Sequence, residues 1–288
     1  MMRKKPMLAY PVSDKPIDYT KPVFMQPKLD GVRCLIQYDV PENQPDFSGK
    51  VTAYSRTGKE WKNINHILQS LKPFFIDNPN VILDGELYNH DLKDDFEQII
   101  SCVRKTKPTD EHRAQSKELV QFHCYDIVDE NAVFDWRADF IGDELEESYC
   151  VKHVMTTYNV DSEKQAKDIH QANLKAGYEG SIVRLNDVYQ CKRSHSLRKF
   201  KDFHDSEATL TDWVEGKGKR TGTIGKFIAV DADGNEFGMP VMDNFKKLQT
   251  MFKDMQSWVG KQATFTYFER TKAGSYRHPL FKAIRDYE

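Results

Sequence analysis

The spacing of apolar residues changes character near residue 205, and the two patterns call for two separate cores. Before that point, strand-like segments alternate with helix-like ones. Val32–Tyr38, Val81–Tyr88, Val120–Val128 and Ser181–Leu185 read as strands. Asn63–Leu71, Asp94–Lys105 and Ser162–Ala176 read as helices. The last has a start and a stop. Ser162 and Gln165 have capping-box spacing, Ala166, Ile169, Ala172 and Ala176 recur at helical intervals, and Gly177 supplies the exit. Beyond the change, Thr209–Val214, Phe227–Asp231, Glu236–Met239 and Gln262–Glu269 read as short strands, with Asp233-Gly234 as a hairpin signal. A single helix, Asn244–Trp258, interrupts them and stops at Gly260. The charged segment at 203–207 marks the join, which divides the chain into 1–204 and 205–288. The class is α+β, and the second pattern suits a small β-barrel of the oligonucleotide-binding (OB) type.

Bulk properties exclude more than they identify. The hydrophobic fraction of 39% supports real cores, and the net charge of -2 does not announce a polyanion binder. Charge is uneven along the chain, however. Residues 139–147 are acidic (Asp139, Asp143, Glu144, Glu146, Glu147), whereas 191–226 lean basic. The five cysteines are scattered with no CxxC pair, so neither a zinc ribbon nor a disulfide framework is indicated. No apolar run is long enough for a membrane helix, and no secretory leader is read at the N-terminus. A monomer in a bacterial or phage-infected cytosol is expected.

Nucleotide chemistry would have to proceed without a phosphate-cradling loop, because both GxxxxGK[ST] and GxGxxG are absent. Side chains must then bind the phosphates. Lys28 stands in Gln26-Pro27-Lys28-Leu29-Asp30-Gly31-Val32-Arg33, where a glycine leads into a strand. A lysine attacks only as the free amine, which burial and nearby cations favour. Lys199 and Lys201 alternate along an extended segment, so they share a face that could meet Lys28.

Taken together, the motifs resemble the ATP-dependent DNA ligases among the covalent nucleotidyltransferases. They run in order through Lys28-Leu29-Asp30-Gly31-Val32-Arg33, Ser55-Arg56-Thr57-Gly58, Asp84-Gly85-Glu86-Leu87, Tyr125-Asp126-Ile127, Glu179-Gly180-Ser181 and Lys199-Phe200-Lys201, ending in Arg277-His278-Pro279 to Arg285. The resemblance covers about residues 6–287. It implies an adenylation domain of antiparallel sheets with flanking helices, followed by an OB fold.

It also implies roles. Lys28 would form lysyl-AMP from ATP, and Asp30 would assist later steps. Arg33, Arg56 and Arg193 would contact the nucleotide, Arg56 gripping the nick 5′-phosphate as well. Tyr125 would stack on adenine. Glu86 and Glu179 would bind Mg²⁺ or Mn²⁺, with Glu86 also near the ribose. Lys199 and Lys201 would hold the α-phosphate, and Arg277 and Arg285 would orient the pyrophosphate. The partner would be nicked duplex DNA. ATP is favoured over NAD because only 27 residues precede Lys28 and no Cys₄ site follows the barrel. Lys217, Lys219 and Arg220, in the glycine-rich stretch Glu215–Thr223, would contact the DNA backbone through a short flexible loop in place of a latch hairpin. An RNA ligase, a GTP-using capping enzyme and an inactive transferase domain joined to an OB module are the rival readings.

Overall fold

The computed structural model describes residue 2 and residues 4–40, 49–93, 95–271 and 274–285. Its strands are β1 (Leu8–Pro11), β2 (Val23–Lys28), β3 (Val32–Asp39), β4 (Lys50–Tyr54), β5 (Ile82–Tyr88), β6 (Gln121–Ile127), β7 (Val151–His153), β8 (Gly180–Leu185), β9 (Arg193–Phe200), β10 (His204–Glu215), β11 (Ile224–Val230), β12 (Glu236–Pro240), β13 (Gln262–Tyr267) and β14 (Leu280–Ile284). Two compact units result, Met1–Lys201 and Asp202–Glu288. The division falls after 201 rather than after 204 because His204 already opens β10, pairing with Tyr267.

The first unit contains two sheets. One has the order β1-β9-β8-β2 and the other β4-β3-β5-β6-β7. Both are antiparallel except for the edge pairs β1–β9 and β6–β7. The main core lies on the second sheet. Cys34 and Ile36 of β3, Leu83 and Leu87 of β5 and Phe122 and Cys124 of β6 point to it, alternating with residues on the opposite face. Ile67, Phe74, Phe75, Ile99 and Val103 cover it from helices Asn65–Ser70, Lys72–Asp77 and Phe96–Val103. Helix Phe96–Val103 overlaps the segment expected from Asp94, which itself lies outside the described residues.

Helix Glu163–Lys175 packs on the first sheet through Ala166 and Ile169. Ser162 caps it by accepting from the Gln165 amide at 3.2 Å. The reciprocal bond reaches one residue farther than the sequence suggested, because Gln165 Oε1 accepts from the amide of Asp161, not Ser162. Gly177 sits at φ +89 beyond the helix end, where L residues are strained.

The second unit is one antiparallel sheet of order β12-β11-β10-β13-β14 around Leu210, Phe227, Met239, Leu248 and Phe265. Among the described residues its edge strands, β12 and β14, are not hydrogen-bonded to each other. The expected single helix is two, Phe245–Lys253 and Met255–Trp258, separated at Asp254. Residues 215–223 are also more ordered than their glycines implied. A 3₁₀ turn (Gly218–Arg220) is closed by Gly216 N to the Thr223 carbonyl at 2.9 Å, Thr223 Oγ1 to the Arg220 carbonyl at 2.6 Å and Gly222 N to Glu215 Oε1 at 2.7 Å.

Candidate active site

Lys28 is the last residue of β2, where it faces Gly180 in β8. The neighbouring Glu179 amide donates to the Lys28 carbonyl at 3.1 Å. This places the two side chains together, and the Glu179 carboxylate forms an ion pair with the Lys28 ammonium. The other carboxylate oxygen takes Lys201 at 2.5 Å. Lys201 and Glu179 are each only 7% exposed, so solvent screens this pair weakly. Burial pushes the Glu179 carboxyl up, but Lys28 and Lys201 outweigh it and hold the group below the ordinary carboxylate range.

Lys199 joins the cluster from β9. Its ammonium is pulled below the usual lysine range, first by burial and then by the charges of Lys28 and Arg193. The sequence placed Lys199 and Lys201 against Lys28 as a pair of repelling cations. The structure inserts a carboxylate between Lys28 and Lys201. Arg193 itself is exposed, donates to the Ala9 carbonyl and lies 5.6 Å from the Tyr10 ring.

Two glycines allow this close assembly. A Cβ on Gly31 would come within 2.5 Å of the Leu87 carbonyl and 2.6 Å of Glu86 Cγ, and one on Gly180 would come within 2.3 Å of the Phe200 carbonyl. The glycine of the Lys28-Leu29-Asp30-Gly31 motif therefore leaves room for Glu86. Asp30 is half-buried in the turn between β2 and β3.

Glu86 is pushed up to about 7, chiefly by burial, with Arg33 and Lys28 opposing it. Tyr125 donates its hydroxyl to Glu86 at 3.2 Å. A register shift between β5 and β6 pairs Asp84 with Asp126 and Gly85 with Cys124, leaving Tyr125 as the extra residue of a β-bulge. The bulge turns the Tyr125 ring toward Glu86. The guanidinium groups of Arg33 and Arg184 lie 5.1 and 5.6 Å from the ring centroid.

Arg33 has a protein partner rather than an open phosphate site. It makes a two-point ion pair with Asp84, with Nε to Oδ1 at 2.5 Å, and reaches the Met7 carbonyl at 3.2 Å. These contacts hold the Arg33 guanidinium beside the Tyr125 ring. Arg56 stands exposed in the turn after β4 and has no side-chain partner among the described residues. In the second unit Arg277 pairs with Glu269, and Arg285 reaches Glu207 at 2.5 Å. Lys217, Lys219 and Arg220 are exposed on their turn.

Beneath the site lie residues that carry no role in the sequence reading. Asp126 accepts from Arg137 Nε at 2.7 Å and from Arg184 Nη1 at 2.5 Å. Arg184 also donates to Gln26 at 2.7 Å, and Gln26 donates to the Tyr125 carbonyl at 3.1 Å. This buried chain ties β2 and β8 of one sheet to β6 of the other. Asp84 similarly collects Arg33 and the Tyr189 hydroxyl, the latter at 2.6 Å. Asp84 and Asp126 stand in the motifs quoted above, but nothing local in the sequence indicates which arginines they meet.

The set as a whole offers an amine nucleophile, cations suited to phosphate, a flat ring and two carboxylates. No group of three or more His, Cys, Asp or Glu among the described residues could hold a metal. The donors fit a Mg²⁺ ion held by one or two carboxylates and completed by substrate phosphates and water, as Mg²⁺ commonly is.

Residues 6–201 match the model of the ATP dependent DNA ligase domain, and residues 215–285 match that of the DNA ligase OB-like domain. The DNA ligase of African swine fever virus, isolate Pretoriuskop, is 32% identical over 216 residues, which is 71% of this chain and 48% of that protein. The Malawi isolate's DNA ligase is 30% identical over 188 residues, 61% of this chain and 42% of its own. The chain thus spans about half the length of the curated relatives it matches. Among solved structures, a Lig E DNA ligase described as binding DNA with a minimal scaffold superposes with a TM-score of 0.76 at 22% identity, covering 99% of this chain and 100% of that one. The ATP-dependent DNA ligase of bacteriophage T7 in complex with ATP gives 0.55 at 16% identity, covering 98% of both chains. These two likenesses concern the fold.

Proposed function

The chain belongs to the ATP-dependent DNA ligase family, and on that premise we propose that it seals 3′-hydroxyl/5′-phosphate nicks in duplex DNA through AMP carried on Lys28. The observation that carries this reading is the convergence of Lys28, Glu179, Lys199 and Lys201 at the ends of β2, β8 and β9.

In the first step Lys28 Nζ attacks the α-phosphorus of ATP. Lys28 sheds one proton to solvent to become the free amine; a nitrogen–phosphorus bond then forms, the bond to pyrophosphate breaks and a second proton leaves the nitrogen for solvent. The incoming phosphates compete with Glu179 for Lys28 and Lys201, which frees Lys28 from its ion pair. Lys199, Lys201 and Arg193 neutralise the phosphate charge, which is where such transfers gain most. Tyr125, aimed by its bulge and backed by Arg33, packs against adenine. Arg277 and Arg285 orient the leaving pyrophosphate. Glu86 and Glu179 would hold a Mg²⁺ (or Mn²⁺) ion, which would supply Lewis-acid stabilisation of phosphate oxygens.

AMP then passes to the 5′-phosphate of the nick, gripped by Arg56, and Lys28 regains both protons. Asp30 assists this stage. Finally the 3′-hydroxyl displaces AMP and loses its proton as the strand closes. The substrate is nicked duplex DNA and the enzyme acts as a monomer in the cytosol.

Incubation with α-labelled ATP and a divalent cation, followed by a denaturing gel, tests this directly. Label should appear on the wild-type protein, be absent from Lys28→Ala and, when nicked DNA is added, pass to the AMP-capped strand and leave as free AMP while an unlabelled sealed strand appears. A protein already carrying AMP is first stripped with pyrophosphate. A folded, stripped protein that takes no label would overturn the reading. Label from GTP but not ATP would do the same.

A further inference from the structure

Helix Phe134–Glu144 carries two ridges at four-residue spacing. Trp136, Phe140 and Glu144 form one, and Asp135, Asp139 and Asp143 form the other. Residues four apart on a helix are surface neighbours. Trp136 is 50% exposed and stacks on Phe140 with ring centroids 5.3 Å apart. Phe140, partly buried, in turn lies 6.4 Å from the buried Phe74. Tyr158, 42% exposed, donates to Asp139 at 3.0 Å. Its hydroxyl is pushed up to about 12 by burial and then by Asp139, Asp135 and Asp143, as expected of acids gathered around one ring. Asp139, Asp143 and Glu144 are all exposed.

None of these residues belongs to the Lys28 site, and their charge is wrong for DNA. A phosphate backbone would meet three aspartates and a glutamate. A second copy docking the same face by a two-fold axis would set acid against acid. The complementary occupant is cationic and partly apolar. An Arg or Lys fits over the exposed face of Trp136, where cation–π attraction is strongest, and others pair with the aspartate ridge. Apolar side chains cover the edge of Phe140.

We propose that this face docks a segment of a partner protein in which Arg or Lys alternates with apolar side chains along one side. The inference goes beyond strand sealing and leaves that chemistry untouched. The patch is narrow, so binding is weak and exchangeable, with a Kd on the order of 10 µM.

An array of short synthetic peptides tests it, using the full chain as probe. One series carries Arg and Lys beside Leu at helical spacing, a second replaces Leu with Ser, and a third replaces the cations with Glu. Only the first series should bind. Trp136→Ala should weaken it at least about tenfold. Asp139→Asn with Asp143→Asn should weaken it similarly and reduce its salt dependence. Labelling of Lys28 by ATP in each variant controls for folding. An empty first series, equal binding by the Ser series, or binding unchanged in the variants would each sink the proposal. Sedimentation showing self-association that Trp136→Ala abolishes would assign the face to a second copy instead.

Discussion

The Glu179 carboxylate is ion-paired with the Lys28 ammonium, and it is also the group that Lys201 shares. Its pKa is held below the ordinary value, so its folded-state preference is for the charged form. A group depressed in this way contributes stability above its unfolded pKa, and that contribution is lost as pH falls through the folded value. Glu179→Gln should therefore cost about 1–3 kcal/mol at neutral pH, by leaving two cations facing each other. The deficit should shrink as acid protonates the wild-type carboxyl. Urea melts at neutral and acid pH measure the difference, and an undiminished deficit in acid would mean that Glu179 acts by packing alone.

Glu86 has the opposite sign. Its folded pKa, pushed up to about 7, exceeds the unfolded value of 4.5. The protonated form suits the buried site, and stability is lost as pH rises through the folded value. Glu86→Gln should be close to wild type below the unfolded value. In alkaline buffer with chelator it should be more stable by up to about 3 kcal/mol. Thermal melts across that range would reveal the crossover, and parallel curves would contradict it.

Asp126 neutralises Arg137 and Arg184 with no exposed surface of its own. Removing one partner from a buried ion pair typically costs about 3–5 kcal/mol, because the remaining charge is stranded. Asp126→Asn strands two guanidinium groups. The expected result is loss of the first unit's cooperative unfolding transition at growth temperature, or a stability deficit of at least that size. A variant within about 1 kcal/mol of wild type would show that water or another group satisfies both arginines.

The contrast between these residues explains what was legible in the sequence. Lys28, Glu179 and the Lys199/Lys201 pair could be found because short motifs and strand alternation are local. Helix Glu163–Lys175 could be found because its cap and its exit are local too. Asp126 and Arg184 are 58 residues apart, and nothing in the periodicity of either strand records their meeting. The bulge at Tyr125 depends on the register between β5 and β6, which only the assembled sheet fixes. For the same reason the Arg33–Asp84 ion pair was not legible, since Asp84 comes from the neighbouring strand. The break at Asp254 carries neither Pro nor Gly, the usual marks of a helix end.

Gly31→Ala separates close packing from bulk stability. The new methyl would press on the Leu87 carbonyl and on Glu86. Relief by backbone movement costs about 1–3 kcal/mol. Such a cost is tolerable to the fold, but the movement displaces Glu86 and the turn after Lys28. Labelling by ATP should fall at least about tenfold, since misplacement near 1 Å can cost that and more. Normal labelling with an intact melt would mean that β3 and β5 yield without disturbing the site.

The turn at 215–223 offers the cleanest electrostatic test on the second unit. Backbone and Glu215, Thr221 and Thr223 side-chain bonds hold its shape, so truncating Lys217, Lys219 and Arg220 together should leave the turn intact. If all three reach DNA phosphates, the slope of log affinity against log salt should become shallower by about 2.7, at roughly 0.9 for each phosphate no longer neutralised. Labelling of Lys28 in the absence of DNA should not change. A shallower slope with normal labelling assigns the turn to backbone binding. Unchanged affinity and slope would remove it from the DNA interface and leave nick recognition to other groups, such as exposed Arg56.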